Sequence, residues 1–106
     1  MRHASARDLL AWLLGRRQRF RVLGPSMEPF LANGTTVLVR QQSPKPGDVV
    51  LTTAPTGNVR IVKRVDHITP DGRLYLRGDG EVSTDSRDFG AVDPTATLGV
   101  VVCTFP

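Results

Sequence analysis

The sequence predicts a mainly β, single-domain protein: a coiled antiparallel sheet or distorted barrel, preceded by one short helix. Three observations carry this reading. Turn-forming groups recur at short intervals: "GPS", "NG", "SPKPG", "APTGN", "PDG", "GDGE" and "DP". Between them lie six short runs carrying apolar residues, "RFRVL", "TTVLVR", "DVVLTT", "NVRIVKRV", "RLYLR" and "TLGVVVCTF". Only one segment, near the N-terminus, carries a helix signature. At 106 residues the chain suits a single core and leaves no room for a second.

Taken in order, Ser5 followed by "ARDLLAWLLG" reads as a helix capped by Ser5 and stopped at Gly15. Residues 1–18 are therefore an N-terminal helix and basic segment, and residues 19–106 the β domain packed with it. In "RFRVL", Phe20 and Val22 alternate with Arg19 and Arg21, the pattern of a half-buried strand. The run "LGVVVCTF" places the only cysteine, Cys103, among β-branched neighbours as a core thiol, and one cysteine allows no internal disulfide.

Composition narrows the function classes. The longest apolar stretch near the N-terminus, Leu9 to Leu14, is six residues, against the roughly 20 needed to span a bilayer. No signal-peptide cleavage pattern follows it, so a cytoplasmic protein is expected. The neighbouring arginines in "LLAWLLGRRQRFR" allow Leu9–Leu14 a weak contact with an anionic membrane surface; the plainer reading is a helix packed on the domain. A net charge of +4 with dispersed arginines and no aromatic platform gives no nucleic-acid interface. His3 and His67 have no other ligand type near them in the sequence, so no metal is expected.

Of fourteen basic residues only Lys45 and Lys63 are lysine. Lys45 sits in the turn "SPKPGD", where any polar residue serves. Lys63 lies in "VRIVKRV", where alternation puts Val59, Ile61, Lys63 and Val65 on one face and Arg60, Val62 and Arg64 on the other. The first face is the apolar one, so Lys63 is expected to point into the core and the arginines outward. Burial strips hydration from an ammonium and lowers its pKa, a response a guanidinium cannot make. The resulting neutral amine is a general base able to take a serine proton. The bland alternative is a lysine that extends its head to water at the sheet edge.

Ser26 supplies the complementary group. Gly24 permits an unusual backbone angle and Pro25 fixes its own, so Ser26 is displayed at a rigid corner after the first strand. Its N–H is the candidate donor to an oxyanion.

These residues resemble a known family. "GPSMEPFL" looks like the nucleophile box of type I signal peptidases, "PKPGDVV" like their next box, "IVKRV" like the box of the general-base lysine, and "RGDGEVSTDSRDFGAV" like their last. Four boxes in order span residues 20 to 92. The resemblance implies the fold of the signal peptidases and SOS-repressor peptidases. It also implies Ser26 as nucleophile, Lys63 as base, Ser83 as a hydroxyl that aims the lysine amine, and Asp85 with Arg87 as a bracing ion pair. Gly78 and Asp79 match the turn before them, and Gly24, Met27 and Pro29 belong to the substrate and oxyanion side of the serine box. The chain departs from the pattern at Gly80, where the family has Asn, and in a loop one residue shorter.

Within that group the chain is most similar to the compact maturation proteases of nickel-type superoxide dismutase. The implied function is a serine endopeptidase with a Ser–Lys dyad, needing no cofactor, that removes the N-terminal propeptide of a dismutase precursor. The precursor would lie extended beside the strands flanking Ser26. The alternatives are a signal-peptidase-like enzyme acting on leader peptides at the membrane surface and a non-catalytic peptide-binding or repressor-type module. The self-cleaving repressors are disfavoured because no Ala-Gly or Cys-Gly pair occurs in the sequence.

Overall fold

Ser5 caps the first helix, α1 (Ala6–Leu13), as its position predicts. The Ser5 hydroxyl accepts from the Asp8 N–H, and the Asp8 carboxylate accepts in return from the Ser5 N–H at 2.8 Å, a reciprocal capping box. At the other end Gly15 takes a left-handed conformation, φ 77°. The Arg16 N–H reaches the Ala11 carbonyl and the Gly15 N–H the Trp12 carbonyl, which closes the last turn. The helix is stapled to the rest of the protein through aromatic rings. Trp12 meets Phe105 edge to face at 4.8 Å, with the Arg19 guanidinium over both.

The structure, a computed structural model, describes residues 1–55, 59–80 and 86–105. Six strands follow α1: β1 (Gln18–Arg21), β2 (Thr36–Arg40), β3 (Val49–Thr53), β4 (Arg60–Ile68), β5 (Leu74–Arg77) and β6 (Thr97–Thr104). They form one antiparallel sheet in the order β1-β2-β6-β3-β4-β5, so the last strand lies at its centre. The edges β1 and β5 do not pair with each other among the described residues. The fold is the coiled open sheet rather than a closed barrel. A four-residue helix, α2 (Ser86–Phe89), sits against β5, where the Leu76 N–H donates to the buried Ser86 hydroxyl at 2.7 Å. The N-terminal segment is tied in as well, because Ala4 and Arg2 exchange backbone hydrogen bonds with Thr104.

Alternation puts a core on each side of this sheet. Val37, Val39, Val49, Leu51, Val62 and Val101 pack with Val22, Met27 and Leu31 on one face. Val50, Val65, Leu74, Leu76, Val92 and Val100 pack on the other. The sequence reading of β4 as one inward and one outward face is corrected by this arrangement. Val62 belongs to the larger core although it shares a face with Arg60 and Arg64, while Val59 is exposed. Lys63 is buried as expected, and its ladder partner Val50 belongs to the smaller core. Cys103 is fully buried.

Register shifts interrupt three pairings: β2 with β6 after Leu38, β3 with β6 after Leu51, and β4 with β5 after Val65. Such irregularities bend and twist a sheet. At the central one, a Cβ on Gly99 would lie 2.6 Å from Val39 Cγ1 and 2.7 Å from the Arg40 carbonyl oxygen, so only glycine lets the strands approach. The coil brings the end of β1 over β4, although three strands separate them in the sheet.

Asp8 is buried, and its carboxylate holds Arg2 at 2.6 Å besides its capping bonds. The Arg2 guanidinium and the Ser5 N–H keep its pKa well below the usual carboxylate range. The folded protein therefore holds the charge where the unfolded chain would take up a proton. The stabilisation is complete above the ordinary carboxylate value of about 4 and is lost as pH falls towards the depressed one. Asp8→Ala is expected to lower unfolding free energy at pH 7 by about 1 kcal/mol, the typical worth of an N-terminal cap. Urea titrations should show the gap between the two proteins closing below about pH 4.

Candidate active site

Beyond Arg21 the chain keeps two more ladder bonds, Val22 N–H to Thr35 and Gly34 N–H to Val22. It then turns sharply. Gly24 adopts φ 91°, the left-handed region foreseen for it, and its N–H donates to the Asn33 side chain at 2.8 Å. Pro25 to Glu28 form a tight turn closed by the Glu28 N–H on the Pro25 carbonyl. Met27 is fully buried in the larger core and pins the turn from below. Burying a methionine side chain contributes roughly 1.5–3 kcal/mol. The corner is rigid because a core anchor and a closed turn both hold it.

Ser26, at the outer side of this corner, lines a cleft of about 190 Å³ with Phe20, Val22 and Leu23 on one wall and Val59 to Lys63 on the other. Ser26 is half-buried, and its N–H makes no hydrogen bond among the described residues. Lys63 is 4% exposed, and its register partner across β3 is the fully buried Val50. The two residues that the sequence singled out, far apart in the chain, thus meet in one cleft. The space is smaller than the roughly 300 Å³ at which small-molecule pockets begin. It suits one or two side chains of a longer ligand.

The other expected residues fall differently. Gly24 shapes the corner, and Met27 is anchored in the core. Pro29 borders a separate groove with Phe30 and Leu31. None of the three lines the cleft. Arg87 is exposed on α2. Ser83 and Asp85 lie outside the described residues, and with them the expected lysine-aiming hydroxyl and the Asp85–Arg87 pair.

Sequence reasoning missed Arg64, which it took only as an outward arginine. Its guanidinium grips both oxygens of Asp79, at 2.9 and 2.8 Å, and donates to the Gly47 carbonyl at 2.8 Å. It also lies 4.6 Å above the Phe30 ring. One side chain therefore joins the strand of Lys63, the 44–47 turn, the 78–80 turn and the loop of Ser26. A planar fork is needed for this, and lysine could not supply it. In a chain that writes arginine almost throughout, nothing in the sequence set this one apart.

Residues 17–102 match the family model described as peptidase S24-like. The chain belongs to the peptidase S24-like family. The match runs from the start of β1 through most of β6, so it includes the Ser26 corner, the strand of Lys63 and the turns gathered by Arg64. It supports the wider group of S24 and signal-peptidase-like proteins and a serine-peptidase character in general, and that group also contains non-catalytic members. No curated protein matches the chain.

The Arg64 ion pair is partly exposed, so its contribution to global stability is small. Arg64→Ala is expected to cost about 1 kcal/mol in urea unfolding. Its main effect should be local. Amide exchange should quicken at Gly47, Asp79 and Gly80 while the central strands β3 and β6 stay protected; a uniform increase would count against the joining role.

Proposed function

We propose that the protein is a serine endopeptidase in which Ser26 attacks a peptide carbonyl and Lys63 acts as its base. The observation that carries this reading is the pairing of an almost fully buried lysine and a corner-mounted serine in one cleft. Burial favours the neutral amine. Lys63 takes the Ser26 proton as the oxygen bonds to the carbonyl carbon. The tetrahedral oxyanion is met by the Ser26 N–H, and the departing amine takes the proton back from Lys63. Water then attacks the acyl-enzyme carbonyl, giving its proton to the same amine; the ester bond to Ser26 breaks, and the Ser26 oxygen takes that proton back from Lys63.

The cleft also favours a particular form of substrate. Among the described residues β1 pairs only with β2, and residues 60–62 of β4 pair only with β3, since β5 begins its pairing at Arg64. Both unused edges belong to strands that wall the cleft, so an extended peptide can add its backbone to them. The exposed Leu23 and Val59 flank it for apolar side chains. In keeping with the motif resemblance, the substrate is the N-terminal propeptide of a nickel-type superoxide dismutase precursor, processed in the cytoplasm.

One observation favours a second setting for the same chemistry. Leu10, Leu13 and Leu14 are exposed on one side of α1 beside Arg16, a face able to rest on anionic lipid, where leader peptides would be the substrates. Among the described residues no helix is long and apolar enough to cross a membrane. Sedimentation with phosphatidylglycerol vesicles separates the two settings, since only the second predicts co-pelleting.

Mass spectrometry of the purified chain incubated with a nickel-type dismutase precursor should show loss of the propeptide. Ser26→Ala and Lys63→Met should both reduce cleavage to background with unchanged circular dichroism, because methionine fills the buried space without a basic group. The wild-type rate should climb with pH as Lys63 gives up its proton. A rate independent of pH, or cleavage by Lys63→Met, would remove Lys63 from the mechanism.

A further inference from the structure

We propose that Gly80 is a positioning residue for Ser26, and that it is glycine because the 78–80 turn must touch the backbone of the serine corner. The inference rests on Ser26 being the nucleophile. The Gly80 N–H donates to the Ser26 carbonyl at 2.7 Å. A Cβ built on Gly80 would stand 2.9 Å from the Pro25 carbonyl oxygen and 3.2 Å from that of Ser26. Both obstacles are backbone atoms of a closed turn, so neither can rotate away as a side chain would. Gly80 is not among the glycines with positive φ. Space, not conformational freedom, selects glycine here.

The contact governs direction. The orientation of a serine is set by the planes of the peptide units on either side of it. The carbonyl of the preceding unit, on Pro25, is held by the Glu28 N–H at 3.0 Å. The carbonyl of the following unit, on Ser26 itself, is held by Gly80. With both planes held, the Ser26 Cα–Cβ bond has one direction. Its N–H, opposite the Pro25 carbonyl across a trans bond, has one as well. The carbon that bears the hydroxyl and the oxyanion donor are placed together.

Gly80 is itself held in place. Its neighbour Asp79 is gripped on both oxygens by Arg64, and Arg64 follows Lys63 directly along β4. A short path of covalent and charge-assisted links thus runs from the base strand through Arg64, Asp79 and Gly80 to the backbone of the nucleophile. It fixes the serine relative to the strand that carries the lysine.

The test compares the full-length protein with Gly80→Ala, and with Asp8→Ala as a variant weakened at the α1 cap, away from the cleft. Without substrate, ¹H–¹⁵N spectra of Gly80→Ala should show the largest shifts at the Ser26, Met27 and Glu28 amides. With the dismutase precursor, kcat should fall about 100-fold, the loss typical of a displacement near 1 Å, with KM little changed because the pairing edges are intact. Asp8→Ala, assayed well below its melting temperature, should keep wild-type kcat. Shifts spread evenly over the sheet, or an unchanged kcat in Gly80→Ala beside an active wild type, would overturn the role of Gly80 and leave the peptidase reading standing. An inactive wild type would instead sink that reading and the positioning role with it.

Discussion

An ammonium group loses much of its hydration when its side chain is folded onto the inward face of a strand, and Lys63 is 4% exposed. The sheet around it is arranged so that this cost can be borne. β4 lies between β3 and β5, its neighbour Val62 is committed to the larger core, and the fully buried Val50 faces Lys63 across the ladder. The lysine is thereby held among packed residues, and it lines the cleft together with Ser26. A surface lysine at the same register would be an ordinary cation. Burial makes the same residue type a candidate base, so the proposed chemistry rests on the two-sided packing of β4.

Placing the serine is a separate problem, because its loop and β4 come from opposite ends of the sheet order. Coiling brings them close, and bulged pairings along β6 produce the coil. Coiling alone leaves some latitude between them, and the proposed proton transfer would be sensitive to a displacement of about 1 Å. Arg64 narrows it. By joining Gly47, Asp79 and Phe30 it converts three loops into one surface around the cleft. Gly80 then transmits that surface to the Ser26 carbonyl. The cation that performs this bracing lies on the face of β4 opposite Lys63, the face that Val62 commits to the larger core, so bracing and the proposed chemistry fall to neighbouring residues of one strand.

Much of this was legible beforehand, and for identifiable reasons. The Ser5 cap and Gly15 stop bound α1 because capping is local chemistry. All six strands appear where short apolar runs lie between turn signals. Strand alternation placed Lys63 inward, and the Gly24-Pro25 pair marked the corner at Ser26. What escaped were properties of strand order and close approach. Val62 was assigned to the outside because periodicity assumes one buried face, whereas a sheet with a core on each side buries both. Arg64 carried no local mark among twelve arginines. Gly80 was visible, but as a departure from a motif.

The glycine at position 80 has a physical reason of its own. The 78–80 turn passes close to the carbonyls of Pro25 and Ser26. An Asn at position 80 would bring a Cβ within 2.9 Å of the Pro25 carbonyl oxygen, so this approach requires a residue without a side chain. The turn gains in return a direct backbone hydrogen bond to Ser26. Close approach and hydrogen bond therefore depend on the same missing Cβ, and together they tie the serine corner to the turn that Arg64 holds through Asp79.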